Sequence, residues 1–417
     1  MRRELPVAQG VARYIFMGIA VLAAVVACAP ESPMSVPDLT VVRSDVRTDR
    51  AERDPWVQVS AGGAVACGIR KLGALYCWGQ NGGSSPGGLG NGTLGGLSSS
   101  PTRVVGPARW KAVSTGYSGT CAITETGDGY CWRDNRSGEL GIGADAASLP
   151  FTGMPMKIAG NLRWDAIQFG EYHVCGLTRS RDVWCWGNNE RGQLGDGTFA
   201  NRNAPVQVAA GTRFTEIRVN ATGTCAVRLR GKSLCWGQYD AIHTSAVPVE
   251  VAEAGELTNV TPVSRLTLCG LDQARRGYCW GWNSSFGTLG TGPISSPFLQ
   301  YPTPLVSDRR WKGFAEGVAE HVCAISLTGQ GYCWGDNNSG ELGDGSDVNR
   351  DTPVRIGLNL HWKQLATGLG EYGMPGKNST CGLTVDGDIY CWGANYTGQL
   401  GDGTLVDRTS PVLVNRP

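Results

Sequence analysis

Cys67-Gly68-Ile69-Arg70-Lys71-Leu72-Gly73-Ala74-Leu75-Tyr76-Cys77-Trp78 is the stretch that decides the fold. Two cysteines bracket nine residues and a tryptophan follows the second. The arrangement recurs at Cys121 and Cys131, Cys175 and Cys185, Cys225 and Cys235, Cys269 and Cys279, Cys323 and Cys333, and Cys381 and Cys391. Each second cysteine precedes a tryptophan: Trp78, Trp132, Trp186, Trp236, Trp280, Trp334 and Trp392. The pairs step along the chain by 54, 54, 50, 44, 54 and 58 residues. That period belongs to propeller blades rather than to shorter solenoid repeats, so seven copies predict seven blades.

The spacing has a local cause. Pairing Cys67 with Cys77 sets Arg70 opposite Ala74 and leaves a three-residue hairpin loop ending in Gly73. Such a loop wants a left-handed last residue, which glycine adopts at least cost. Gly127, Gly231, Gly329 and Gly387 stand at the same place, but Arg181 and Arg275 replace glycine in two units, whose hairpins are expected to turn differently. Two residues after each first cysteine comes an aliphatic residue, from Ile69 to Leu383, on the cysteine face. On the other face a glycine or alanine follows the first cysteine, opposite Tyr76, Tyr130, Trp184, Leu234, Tyr278, Tyr332 or Tyr390, a small residue beneath a large one. Cysteines opposed at a non-hydrogen-bonded site come close enough to join, so seven intra-hairpin disulfides are predicted. Zinc is the competing reading, but it favours short knuckles with two to four intervening residues, and this spacing supplies two sulfurs without further ligands.

The cysteine left over, Cys28, closes an apolar run from Tyr14 to Ala27 that follows Arg2, Arg3 and Arg13. The run is too short to span a bilayer and has the layout of an export signal. Val25-Val26-Ala27-Cys28 resembles a bacterial lipobox, in which the cysteine is acylated; an ordinary cleavable signal with a chance cysteine is the alternative. The expected organisation is a signal over 1–27, a lipidated cysteine and tether over 28–54, and the propeller over 55–417. An exported location in a bacterial envelope agrees with disulfides, since both imply an oxidising compartment.

Composition supports an all-β chain, with 61 glycines and 21 prolines among 417 residues. Beyond residue 28 there are 34 basic and 35 acidic residues, a balance that gives no sign of the basic face a nucleic-acid partner asks for. Two common enzyme motifs are missing: there is no phosphate-binding loop and no H-E-x-x-H. His173 and His321 stand two residues before a first cysteine in two units, which suits packing at a repeat position; His243 and His361 complete the set of four. Gly-Asp-Gly triplets at Asp196, Asp344 and Asp402 offer one carboxylate each where a calcium loop offers several, so they read as turns. No catalytic residue, cofactor or metal is expected.

After the tryptophan come Trp186-Gly-Asn-Asn-Glu-Arg-Gly-Gln-Leu-Gly-Asp-Gly-Thr198 and its counterparts Trp334 to Ser346 and Trp392 to Thr404, each leading to a Pro-Val strand. On these residues the chain resembles the regulator of chromosome condensation repeat family. The resemblance implies a seven-bladed propeller of four-stranded blades, in a superfamily that includes an extracellular protein inhibitor of β-lactamase. The strands after the loops begin at Pro101, Pro155, Pro205, Pro248, Pro304, Pro353 and Pro411, and no hairpin follows the last. The expectation is that Pro411 to Val414 joins the first blade to seal the ring, with Pro37 to Val42 as the competing strand.

Propellers host unrelated functions, so function has to come from the sites. The expected function is a monomeric, non-catalytic scaffold that binds a protein or another envelope macromolecule and meets the membrane only through its lipid. Inhibition of an extracellular enzyme such as a β-lactamase is the alternative. Guanine-nucleotide exchange, which the resemblance also suggests, is disfavoured by export. Contacts are expected in loops that break the repeat and carry aromatics: Tyr239, Trp282, Phe286, Phe298, Tyr301 and Tyr372. Rings that pin their own loops are the competing reading.

Overall fold

In the computed structural model the described residues are 54–417 without 108, 144–147, 252–253, 318 and 370–376. Cys28, the signal, the tether and Tyr372 therefore lie outside them. The chain is all-β: seven antiparallel blades, each built on one four-stranded meander. In the first blade, β1 (Trp56–Gly62), β2 (Val65–Arg70), β3 (Leu75–Gln80) and β4 (Leu97–Arg103) lie side by side in chain order. Inner strands of adjacent blades touch: Gln58 in β1 exchanges hydrogen bonds with the backbone of Val113. The two middle strands are mostly buried, with places such as Tyr76 and Tyr130 half-exposed, whereas the outer strand is mostly half-exposed.

The middle hairpin has the predicted register. Cys67 faces Cys77, Gly68 faces Tyr76, and Arg70 N–H donates to Ala74 O. Each of the seven cysteine pairs is a disulfide, with Cα atoms 4.0 to 4.1 Å apart. The loops depart from expectation. Arg181 and Arg275 adopt φ of 69° and 63°, the left-handed conformation that Gly73 and Gly127 also take, so these two hairpins turn like the rest. Each repeats the N–H bond to the residue three earlier, from Arg181 to Thr178 and from Arg275 to Asp272, and the closed turn outweighs the Cβ strain. The odd hairpin is the fourth, where Arg230 at φ 99° takes the left-handed place instead of Gly231.

Why the residue after each first cysteine is small becomes clear in three dimensions. A Cβ at Gly176 or Gly382 would run into Trp164 or Trp362 of the inner strand. Those tryptophans form a second aromatic position of the repeat, filled by Trp56, Trp110, Trp164, Phe214, Trp311 and Trp362, and several meet the tyrosine of the small-large pair edge-on. The tryptophans after the second cysteine are fully buried between blades. Five donate their indole N–H to a loop carbonyl of the preceding blade, among them Trp132 to Gly88 and Trp186 to Glu139.

Ring closure differs from the predicted strand exchange. The last strand, Arg408–Leu413, pairs with Ile389–Gly393 and is simply the outer strand of the seventh blade. The first blade already holds its four strands, because β1 precedes the first hairpin, a strand the Pro-Val pattern does not reveal. The seam is made by contacts that the other blade junctions also use. Trp78 donates to Gln399 O, Trp56 N–H to Gly387 O, and Val59 N–H to the Gln364 side chain. The sixth inner strand breaks after Phe314, and Glu316–Gly317 pairs in parallel with Trp362–Gly368 of the next blade.

Candidate functional site

Strand direction alternates, so every turn from inner to second strand opens on the same face as every loop from third to outer strand. The inner turns ring the axis and brace one another. Gly63 N–H donates to Gly116 O, Tyr117 N–H to Gly170 O, Ser118 N–H to Glu171 O, and the Asn220 amide to Ser264 O. Outside them lie the glycine-rich loops. In each complete loop a buried asparagine holds the backbone: Asn189 accepts from Leu194 N–H and donates toward Thr198 O and Ala200 O. The aspartates of the Gly-Asp-Gly triplets have protein partners. Asp196, Asp344 and Asp402 accept from Thr198, Ser346 and Thr404 and form ion pairs with Arg202, Arg350 and Arg408. His173 and His321 are buried, contact Thr224 and Thr380, and are pushed down to about 3 by burial.

Between blades two and five this face holds a cavity of about 600 Å³, lined among others by Glu171, Tyr172, Arg191, Gln193, Gln238 and Arg265. Tyr172 stacks edge-on against Tyr117 at 5.6 Å, and Arg265 reaches across the mouth to Glu171 at 2.8 Å. Burial raises the Glu171 carboxyl and Arg265 opposes the shift. The cavity offers a buried carboxylate with a guanidinium, amide groups and a tyrosine. It is suited to recognition by hydrogen bonds and ring contacts.

The sequence-nominated aromatics divide into three groups. Trp282 is 46% exposed and sits opposite Phe298 across neighbouring strands, and half-buried Phe286 follows in the same loop, so these three share one lip of the loop face. Tyr239 is only 5% exposed and stacks on His243 at 5.7 Å, while Asp240 takes the His243 ring N–H; this ring pins its own loop. Tyr301 is 65% exposed but lies on the outer strand, beside a side cleft with Asp272 and Tyr278.

Sequence reasoning passed over Glu171, Tyr172 and Arg265. The places three and four residues before the first cysteine differ in every unit, from Gly63-Ala64 to Lys377-Asn378, and their neighbours vary too, so no repeat marked these residues out. Arg133 stands where the other six units have glycine after the tryptophan. Arg133 is 5% exposed, and its guanidinium donates to Ser85 O, Gly63 O, Tyr117 O and the Gln80 side chain, tying the first two inner turns together.

Comparison with known proteins agrees with this architecture. Models of the regulator of chromosome condensation (RCC1) repeat match residues 164–193 and residues 182–227, 328–370 and 386–417. The chain is 27% identical over 315 residues to the ultraviolet-B receptor UVR8 of Arabidopsis thaliana, covering 73% of this chain and 69% of the receptor. It is 26% identical over 389 residues to the human E3 ubiquitin-protein ligase HERC2, covering 87% of this chain but 7% of the ligase. Among solved structures, yeast RCC1 (Prp20) bound to Kap60 aligns with a TM-score of 0.69 at 16% identity over 82% of this chain and 83% of that one. Human WBSCR16 aligns with a TM-score of 0.66 at 18% identity over 76% and 86%.

Proposed function

We propose that this chain, a propeller of RCC1 repeats, is a non-catalytic, lipid-anchored protein of the bacterial envelope that binds a protein partner through its loop face. The observation that carries the reading is the placing of exposed Trp282, with Phe286 and Phe298, on the face that also holds the Glu171–Arg265 cavity. Exposed large rings on a recognition face are the usual anchors of protein binding. Likeness to proteins with protein partners supports it: yeast Prp20 is solved bound to Kap60, and its relation to Gsp1p and histones has been described. The fold is shared with those proteins; the partner is a matter for this chain's own loops.

The test is capture of an envelope partner by the whole chain and by a Trp282→Ala/Phe286→Ala variant. Capture should weaken at least about tenfold while the melting temperature holds. Unchanged capture, or a loss that follows unfolding, would assign both rings to the scaffold. For the anchor, Cys28→Ser should move the protein out of the membrane fraction or leave its precursor unprocessed, and unchanged membrane association would remove lipidation from the reading.

A further inference from the structure

The formal charge of +1 conceals two faces of opposite sign. The middle hairpins, such as 70–74 and 228–232, open on the face away from the loops, together with the connections from each outer strand to the next blade. Among the described residues this hairpin face carries 21 lysines and arginines against 12 aspartates and glutamates, whereas the loop face carries 8 against 14. Much of the acid on the hairpin face is already neutralised. Asp128 is paired with Lys157 and Arg163, Asp182 with Arg213, Glu250 with Arg228 and Lys232, and Asp272 with Arg276. Exposed Arg181, Arg230, Arg310 and Lys312, from the third to the fifth hairpins and their connections, have no carboxylate partner among the described residues.

Aliphatic side chains project between these cations. Leu72, Leu229, Leu327 and Val385 occupy four hairpin tips and are 47% to 66% exposed. Cations around protruding aliphatic residues match a phospholipid interface, where the tips enter the acyl boundary and the cations meet headgroups. A nucleic-acid backbone would use the cations and have no use for the leucines. The chain also enters the propeller here. Asp54 accepts the Leu72 N–H at 2.9 Å, and Pro55 O accepts the Lys71 N–H at 2.8 Å. The first described residues, Asp54 and Pro55, therefore lie on this face, 26 positions along the chain from Cys28.

We propose that the hairpin face docks on an anionic phospholipid surface, leaving the loop face turned away from the membrane. The proposal deepens the reading of Cys28 as a lipid anchor and rests on it for the choice of a membrane. One weak anchor plus a basic surface gives the two signals that stable membrane residence requires.

The test uses the full chain with Cys28→Ser, so that no acyl chain contributes, and vesicles of phosphatidylcholine alone or with about 30% phosphatidylglycerol. Binding to the anionic vesicles should be at least about tenfold stronger and should fade at high salt. Replacing Arg181, Arg230, Arg310 and Lys312 with Glu should abolish the preference at an unchanged melting temperature; should that variant unfold, the salt dependence of the parent decides. Replacing Leu72, Leu229 and Leu327 with Ser should weaken vesicle binding several-fold and leave any binding to duplex DNA as it was. No preference for anionic vesicles, a preference kept by the folded charge-reversed variant, or DNA outcompeting lipid of equal charge would overturn the proposal. The anchor fails separately: wild-type protein found unacylated in cells, with the vesicle preference intact, removes Cys28 lipidation alone.

Discussion

Trp56 donates its backbone N–H to the carbonyl of Gly387 at 3.0 Å, so the first inner strand hangs on the last hairpin. Trp110 makes the same bond to Gly73, Trp164 to Gly127 and Trp362 to Gly329, and the seam is thus one more junction of the ordinary kind. Gly387 has φ of 82°, and a Cβ there would lie 2.6 Å from the Pro55 side chain. Gly387→Val should therefore open the seam, costing about 2 to 4 kcal/mol through left-handed strain and the clash. Thermal unfolding would check it. A melting temperature within about a degree of wild type would mean the seam carries little of the ring's stability.

Deleting 411–417 now has a different expected effect from the one that strand exchange implies. It would strip the outer strand from Ile389–Gly393 and remove Val414, which packs in the cluster with Trp78 and Leu400. The bared edge belongs to the seventh blade, so hydrogen exchange should rise at Cys391, whose N–H faces the lost strand, while β1 stays protected. Exchange rising first in β1 would restore the strand-exchange view.

The hairpins were legible in the sequence because their determinants are local: Cys67, Gly68, Ile69, Tyr76 and Cys77 fix register within eleven positions. The closure was not, since it depends on which strand precedes Cys67, and Trp56 announces that strand only when set beside Trp110 and Trp164 at like intervals. Arg181 misled for another reason. Glycine is the cheapest residue at a left-handed place, but a closed turn can hold an arginine there as well. The site was half legible. Pattern-breaking found Trp282, but exposure could not be read, so Tyr239 was nominated with it although His243 covers its ring. The charge of the two faces was hidden because the net balance adds Arg230 to Glu341 without regard to which end of a strand each occupies.

Arg133 replaces the glycine that follows the tryptophan in the other units, and it holds φ of 94°. Arg133→Gly relieves that strain but removes four hydrogen bonds, three to the first blade at Ser85, Gly63 and Gln80 and one within the second at Tyr117. Loss of several bonds from a buried guanidinium outweighs the backbone gain, so the variant should be less stable by about 2 kcal/mol. A denaturation midpoint equal to or above that of wild type would show that the strain dominates.

Glu341 has no exposed surface and faces Asp336, with the Asn378 amide 3.3 Å from one carboxyl and 3.2 Å from the other. Burial, then the Asp336 charge, pushes Glu341 up to about 8; burial, then Asp134, pushes Glu139 up to about 7. A carboxyl raised in the folded state keeps a proton that the unfolded chain gives up near its ordinary value. Its stabilising contribution is therefore complete below the unfolded pKa and is lost as pH climbs through the folded one. His173 and His321, pushed down to about 3, act in the opposite direction, but only where the unfolded histidine takes up a proton, below about 6.5. The interval from about 6.5 to 8 consequently isolates the carboxyls. Wild-type protein should lose melting temperature steadily across it, and Glu341→Gln, which keeps the shape of the protonated group and cannot ionise, should lose distinctly less. Parallel slopes for the two proteins would place the alkaline loss elsewhere and leave the Asp336–Glu341 pair without a part in it.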